Sequence, residues 1–314
     1  MEIDRSRRRR SARSRSGGSG RLVDRFADSG AWLDRPADAI QKAVDGTYGA
    51  LGGAGQALKN LMTGTALIGH PLHPAVTDIP IGSWTMMVVA DWLAITTGWL
   101  PAIAGDAALA VGLAGAVIAA LSGLTDYAGT AGREKRVAVT HGTTMLVVIV
   151  LMAVSLGLRI WSGTSMRTVA VEISTLGWLG VVVGGYLGGH LAYGLGSVVN
   201  HNAFASGPAD YTKVGDPSDF KEGQLRRVTA DGLPVLVVRI NGSLRAIGAV
   251  CSHAGGPLDE GKLEGDAVTC PWHGSKFCLD DGRVRGGPAT FDQPALLVRE
   301  TRGAVEVRLS RPLH

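Results

Sequence analysis

Cys251-Ser252-His253 and Cys270-Pro271-Trp272-His273 each present one thiol and one imidazole within four residues. Both groups are good ligands for transition metals. A C-x-H loop and a C-x-x-H loop, each next to a strand-forming segment, can close on one metal centre from two sides. Structural zinc sites usually group cysteine with cysteine and histidine with histidine. Here the order alternates, and Gly255, Gly256 and Gly274 surround the ligands, which argues against structural zinc. Three cysteines in a chain of this length make no disulfide framework. The third, Cys278, reads as a small buried hydrophobe.

The segments around these loops are β-rich. Leu225–Val228, Val235–Ile240 and Ser243–Val250 read as strands, and Asn241-Gly242 is a strong two-residue hairpin signal. Short strands are expected at Ala267–Thr269, Ser275–Cys278, Leu296–Glu300 and Ala304–Leu309. Residues 213–314 therefore form a compact all-β domain, preceded by a polar linker at 197–212.

The middle of the chain has a different composition. Mean hydropathy is positive at +0.17, and charged residues are only 18% of the sequence. Four apolar stretches, about Ala75–Thr97, Pro101–Leu124, Thr140–Leu158 and Val171–Leu195, approach the ~20 residues that span hydrocarbon. Residues 67–196 thus read as a four-helix membrane domain, and the fold class is multi-domain: a transmembrane bundle plus an all-β head. The second and fourth stretches are rich in glycine and alanine, which suits close helix contact in lipid. Trp99 and Trp161 suit one interface of the bilayer.

Residues 1–66 divide in two. Arg5, Arg7, Arg8, Arg9, Arg10, Arg13 and Arg15 mark a disordered basic arm. No apolar run follows the arm directly, so it does not read as a signal peptide. From Asp34 to Leu61 the spacing of Ile40, Val44, Tyr48, Leu51, Leu58 and Leu61 predicts a loose amphipathic helix near the membrane surface. The basic arm, with Arg133, Lys135 and Arg136 between the second and third stretches, predicts that both termini and the head are cytoplasmic. Nucleic acid is not an expected partner.

The segment Cys251–Ala289 resembles the Rieske family, Rieske-type ferredoxins in particular. The matching residues are Cys251, His253, Cys270 and His273, with Gly255–Pro257, Gly274-Ser275, Asp281-Gly282 and Gly287-Pro288. The resemblance implies a [2Fe–2S] cluster with both thiolates on one iron and both imidazoles on the other. Neutral imidazoles make such a cluster less negative and raise its potential over a four-cysteine cluster. Rieske proteins of quinol-oxidising complexes resemble this loop pair but add a cysteine to each loop, and the two form a disulfide. Gly256 and Trp272 stand at those positions here. The same proteins often carry a tyrosine where this chain has Phe277. Ser275 remains as a hydrogen-bond donor, and a potential low in the Rieske range is expected.

Gly69-His70-Pro71-Leu72-His73-Pro74 opens the first apolar stretch. With Asp126, His141 and His190, this pattern resembles an uncharacterised bacterial family of four-helix membrane domains with a His-Pro motif. Intramembrane ionisable residues are functional candidates by default. The predicted topology brings His73, Asp126, His141 and His190 into the leaflet facing the head, where they are candidates for binding haem b or a quinone. Asp91 and Asp106 should lie in the opposite leaflet, held by mutual or backbone hydrogen bonds.

Two functions follow. One is electron transfer between a cytoplasmic redox partner, a reductase or oxygenase component, and a membrane cofactor or partner enzyme. The other is a redox or iron sensor signalling through the membrane domain. A terminal oxygenase needs a second iron site of two histidines and a carboxylate, and only His314 follows His273. The chain reads as an electron-transfer component of an oxidoreductase system rather than a whole catalytic unit. Its partners are the lipid bilayer and that redox component, and a homo-oligomer is compatible with the sequence.

Overall fold

A computed structural model describes residues 22–65 and 68–312. The basic arm and His314 lie outside the described residues. Three short helices come first: α1 (Leu22–Ser29), α2 (Asp34–Ala50) and α3 (Gly52–Thr63). The single helix expected over Asp34–Leu61 is two. Gly52 takes φ +54°, a left-handed conformation that interrupts the helix and that glycine adopts without penalty.

Four long helices follow: α4 (Leu72–Thr97), α5 (Ala102–Tyr127), α6 (Gly132–Trp161) and α7 (Arg167–Gly189), the last continued by one π-helical turn, His190–Gly194. Each is long and apolar enough to cross a membrane. Their outward faces are apolar too: Leu146, Val147, Val150 and Val154 on α6, and Leu176, Leu179, Val182 and Val183 on α7, are exposed. A helix apolar on its outer as well as its inner face is built for lipid. Successive helices pack on one another and α7 closes on α4, so α4 and α6 stand on one diagonal.

Small residues set the spacing within the bundle. A β-carbon on Gly112 would lie 2.3 Å from Trp84 Nε1, and one on Gly105 would lie 2.1 Å from Asp91 Oδ1. Trp84, Met87, Leu109, Val148, Met152 and Val181 fill the centre.

At the end remote from the head, Asp91 and Asp106 meet two arginines, correcting the expected mutual or backbone bonding. Arg159 donates to both oxygens of Asp91 and to Asp106 Oδ1. Arg167 donates to Asp91 and Asp106 as well. Two positive and two negative charges therefore balance across all four helices. Arg159 also bonds Ser155 and Ser174.

The opposite end of the bundle carries α1–α3. Arg133 pairs with Asp24 and Asp28, Lys135 with Asp38, and Arg136 makes two bonds to Asp34. Gln41 donates to the Tyr127 and Thr130 carbonyls. The acids of the amphipathic segment thus lie on the basic start of α6.

The C-terminal head is all antiparallel. Strands β1 (Thr212–Gly215), β2 (Arg226–Ala230), β3 (Leu233–Ile240), β4 (Ser243–Gly248), β9 (Ala295–Thr301) and β10 (Ala304–Leu309) form one sheet in the order β1-β10-β9-β4-β3-β2. Strands β5 (Lys262–Glu264), β6 (Ala267–Thr269), β7 (Lys276–Cys278) and β8 (Val284–Gly286) form a smaller second sheet. Asn241 and Gly242, at φ +51° and +76°, make the β3–β4 turn that their sequence predicts.

Candidate metal centre

The two Cys/His loops leave the ends of strands. The first follows β4 and the second joins β6 to β7. They close in the same way. The Cys251 N–H donates to the Gly256 carbonyl at 2.8 Å, and the Gly255 N–H returns to the Cys251 carbonyl at 2.8 Å. In the second loop the Cys270 N–H donates to the Ser275 carbonyl at 2.8 Å and the Gly274 N–H to the Cys270 carbonyl at 3.1 Å. Gly255 and Gly274, at φ +75° and +74°, make both turns possible. Two copies of one turn therefore bring four side chains together.

Cys251 and Cys270 are buried, and neither forms a disulfide. Their sulfurs share a hydrogen bond, which with burial pushes the Cys251 thiol up. The same contact, with backbone N–H groups from Trp272 and His273, lowers the Cys270 thiol. Metals take cysteine as the thiolate.

The His253 and His273 rings stand 5.1 Å apart, nearly perpendicular. Burial, then the nearby His273 and His201, lowers His253 to about 3, and burial also lowers His273. Both rings are thus neutral near pH 7, the state that ligates. His253 Nδ1 is buried with no hydrogen-bond partner. An orphaned ring nitrogen beside two buried thiols fits the mixed sulfur and nitrogen ligand set of a Rieske cluster.

The loops also meet directly. A β-carbon on Gly256 would lie 2.9 Å from Cys270 Sγ and 3.1 Å from the Trp272 indole. The positions that carry a disulfide in quinol-complex proteins are in contact here through an indole laid on a glycine. Phe277 is fully buried in the same core as Cys251 and Cys270. The Ser275 hydroxyl accepts from the Ala289 N–H at 3.1 Å, which leaves its proton free to donate. Cys278 is buried, and its sulfur accepts from Arg285 at 3.0 Å.

The histidine side of the centre faces the bundle. A β-carbon on Gly129, just after α5, would lie 3.2 Å from His253 Cε1 and 3.5 Å from its Nε2. Thr65 donates to the Ala289 carbonyl at 3.1 Å, and His70 meets the Phe291 ring at 5.9 Å. The linker is fastened to the first ligand loop: the His201 N–H donates to the Ser252 carbonyl and Asn202 Nδ2 to the Val250 carbonyl, both at 3.0 Å. A cavity of about 590 Å³ lies between head and bundle, lined by Glu134, Leu195, His201, His253, Trp272 and His273.

Of the four membrane residues singled out by sequence, His73 and His141 come together, with ring centroids 6.3 Å apart. His190 turns toward α1. Its Nε2 lies 3.5 Å from Asp24 Oδ1 and makes no hydrogen bond. Asp126 Oδ2 is buried without a partner. The Arg159 and Arg167 pairing escaped sequence reading, since nothing local links them to acids on other helices.

Comparison with known proteins divides the chain as the fold does. Residues 69–201 match a family described as predicted membrane protein (DUF2231), and residues 210–298 match the Rieske [2Fe-2S] domain. Over 93 residues, 30% of this chain, it is 34% identical to apoptosis-inducing factor 3 of Mus musculus, and it spans only 15% of that protein's length. It is 37% identical over 88 residues to the ferredoxin component of biphenyl 2,3-dioxygenase from Rhodococcus jostii (strain RHA1), covering 28% of this chain and 82% of that one. With ferredoxin CarAc of Metapseudomonas resinovorans the identity is 34% over 98 residues, 31% of this chain and 92% of the relative. Identity above 30% with ferredoxins covered over most of their own length, in the domain whose paired loops carry two buried cysteines and two histidines, shows that this chain belongs to the Rieske [2Fe–2S] family.

Proposed function

We propose that the chain is a membrane-anchored electron carrier. In this reading Cys251 and Cys270 hold one iron of the [2Fe–2S] cluster, and His253 and His273 hold the other. The cluster supplies reversible one-electron chemistry. The protein's own residues do the rest. Cys251 and Cys270 sit in a dry core, the two glycine turns fix the ligand angles, and Trp272 covers the junction of the loops.

One observation carries the reading: the His253 edge rests against Gly129, beside the cavity bordered by the ends of the membrane helices. A redox centre whose histidine side faces its own membrane domain is arranged to exchange electrons there. The membrane cofactor would be haem b or a quinone, with His73, His141, His190 and Asp126 as the groups to hold it. The other partner would be a cytoplasmic reductase or oxygenase component, as expected from similarity to ferredoxins of dioxygenase systems. The paired basic residues at the start of α6 support a head on the cytoplasmic side.

Spectroscopy of the full chain in detergent tests this. Reduced protein should give a Rieske-type EPR signal with acid-labile sulfide, and His273→Ala should abolish the signal while the chain still inserts. Zinc without sulfide would overturn the proposal.

A further inference from the structure

The bundle repeats one arrangement twice. His73, on α4, pairs its Nδ1 with the Ala119 carbonyl of α5 at 2.8 Å. His141, on α6, pairs its Nδ1 with the Gly184 carbonyl of α7 at 3.0 Å. In each case the ring also packs on a glycine four residues beyond that carbonyl. A β-carbon on Gly123 would lie 2.7 Å from His73 Cε1, and one on Gly188 would lie 3.4 Å from His141 Cε1. The two helical hairpins therefore offer the same device from opposite corners of the bundle.

The chemistry of that device is fixed by the carbonyls. A carbonyl only accepts, so each Nδ1 must carry the ring proton. Each Nε2 is then a lone-pair nitrogen, and neither makes a hydrogen bond among the described residues. Ligating histidines characteristically use their second ring nitrogen in this way, donating it to a backbone carbonyl that fixes the tautomer. The rings stand at 84° with centroids 6.3 Å apart. Two imidazoles on opposite sides of one metal ion, with bonds of about 2 Å each, place their centroids roughly 6 Å apart.

The number of ligands then selects the kind of metal centre. A zinc ion takes four protein ligands in structural sites and three even in catalytic ones. Among the described residues, the one group of three or more ligating side chains within reach of a common ion is Asp266, Cys278 and Asp280, in the head. Among the described residues neither His190, which faces Asp24, nor another ligating side chain joins His73 and His141 within that reach. A porphyrin brings four nitrogens of its own and asks the protein for two axial ligands. We infer that His73 and His141 are the two axial ligands of a b-type haem held between the diagonal helices, in the half of the bundle next to the Rieske head.

This rests on reading the chain as an electron carrier, and one preparation tests the two separately. The full-length protein should be made with a haem precursor in the medium, purified in mild detergent, and examined by pyridine haemochromogen assay, visible absorption and EPR. The expected result is about one protohaem per chain with a low-spin, six-coordinate spectrum. His73→Ala and His141→Ala should each lose that spectrum and keep the Rieske EPR signal, which serves as the control for folding. His141→Met, which keeps a ligating atom, should retain haem with a displaced spectrum. A wild-type chain with a Rieske signal and no haem would overturn the site and leave the carrier reading standing. Haem bound unchanged in both alanine variants would overturn it equally. Haem without any Rieske signal would uphold the site and defeat the carrier reading.

Discussion

Arg159 grips Asp91 through two parallel hydrogen bonds, Nη1 to Oδ1 at 2.9 Å and Nη2 to Oδ2 at 2.6 Å, and both side chains are 1% exposed. Two ions taken out of solvent together lose their hydration, and the fork geometry recovers much of that loss. Removing Asp91 leaves Arg159 and Arg167 facing Asp106 alone, with one buried positive charge uncompensated. Asp91→Asn should therefore destabilise the bundle by about 3–5 kcal/mol. Thermal unfolding in detergent measures this, with Asp91→Asn/Arg159→Met expected to cost less than the two single changes summed. Additive losses would mean the pair is not coupled.

Gly129 decides how closely the head sits on the bundle. Its backbone tolerates a side chain, but any substituent meets His253. Gly129→Phe should lift the head away. The expected outcome is faster hydrogen exchange around His253 and easier proteolysis of the linker at 197–211, with the Rieske signal unchanged. Unaltered exchange would mean the contact does not hold the head down.

Phe277 fills the core beside both cysteines and offers no hydrogen bond. We expect a midpoint in the lower part of the Rieske range of about −150 to +300 mV. Phe277→Tyr adds a donor near the cluster and should raise the midpoint, because a donor stabilises the charge of the reduced state. A redox titration followed by EPR checks both statements. A strongly positive wild-type midpoint would contradict the first.

Glu264 is flanked by Lys276 and Lys262, each 2.9 Å away, and hydrogen bonds from these lysines lower its carboxyl from 4.5 to about 2. A depressed folded value means the unfolded chain takes up the proton first as pH falls. The contribution of this group is complete above pH 4.5 and is lost as pH falls toward 2. Glu264→Gln should therefore flatten the acid limb of the head's stability curve in that window. Denaturant unfolding at pH 5, 4 and 3 would show it, and identical slopes would argue against the pairing.

The charge pattern at the start of α6 predicts an inward C-terminus. A green fluorescent protein fused after the head should fluoresce, and an alkaline phosphatase fused there should be inactive. The reverse result would invert the topology.

Much of this was legible in the sequence where the relevant physics is local. The paired Cys/His loops, the Asn241-Gly242 turn and the four apolar helices depend on residues close in the chain. Strands at Ala267–Thr269 and Ala304–Leu309 match their predicted bounds. Features that depend on distant partners were not legible. β1 exists because Thr212 and Lys213 pair with Val307 and Glu306 of β10, almost a hundred residues away. The Asp91–Arg159 pair joins residues 68 apart. Gly129 looks like any loop glycine until the head is seated on it. Conversely, the membrane histidines were recognisable as a set, but only the carbonyls of Ala119 and Gly184 distinguish His73 and His141 from His190.

The linker's attachment to Ser252 and Val250 has a mechanical consequence. A leash tied at the far side of a swinging body gives slack freely, whereas this one is knotted to the peptide that carries Cys251 and His253. Any long excursion of the head must first undo that knot, and undoing it tugs on the ligand-bearing turn itself.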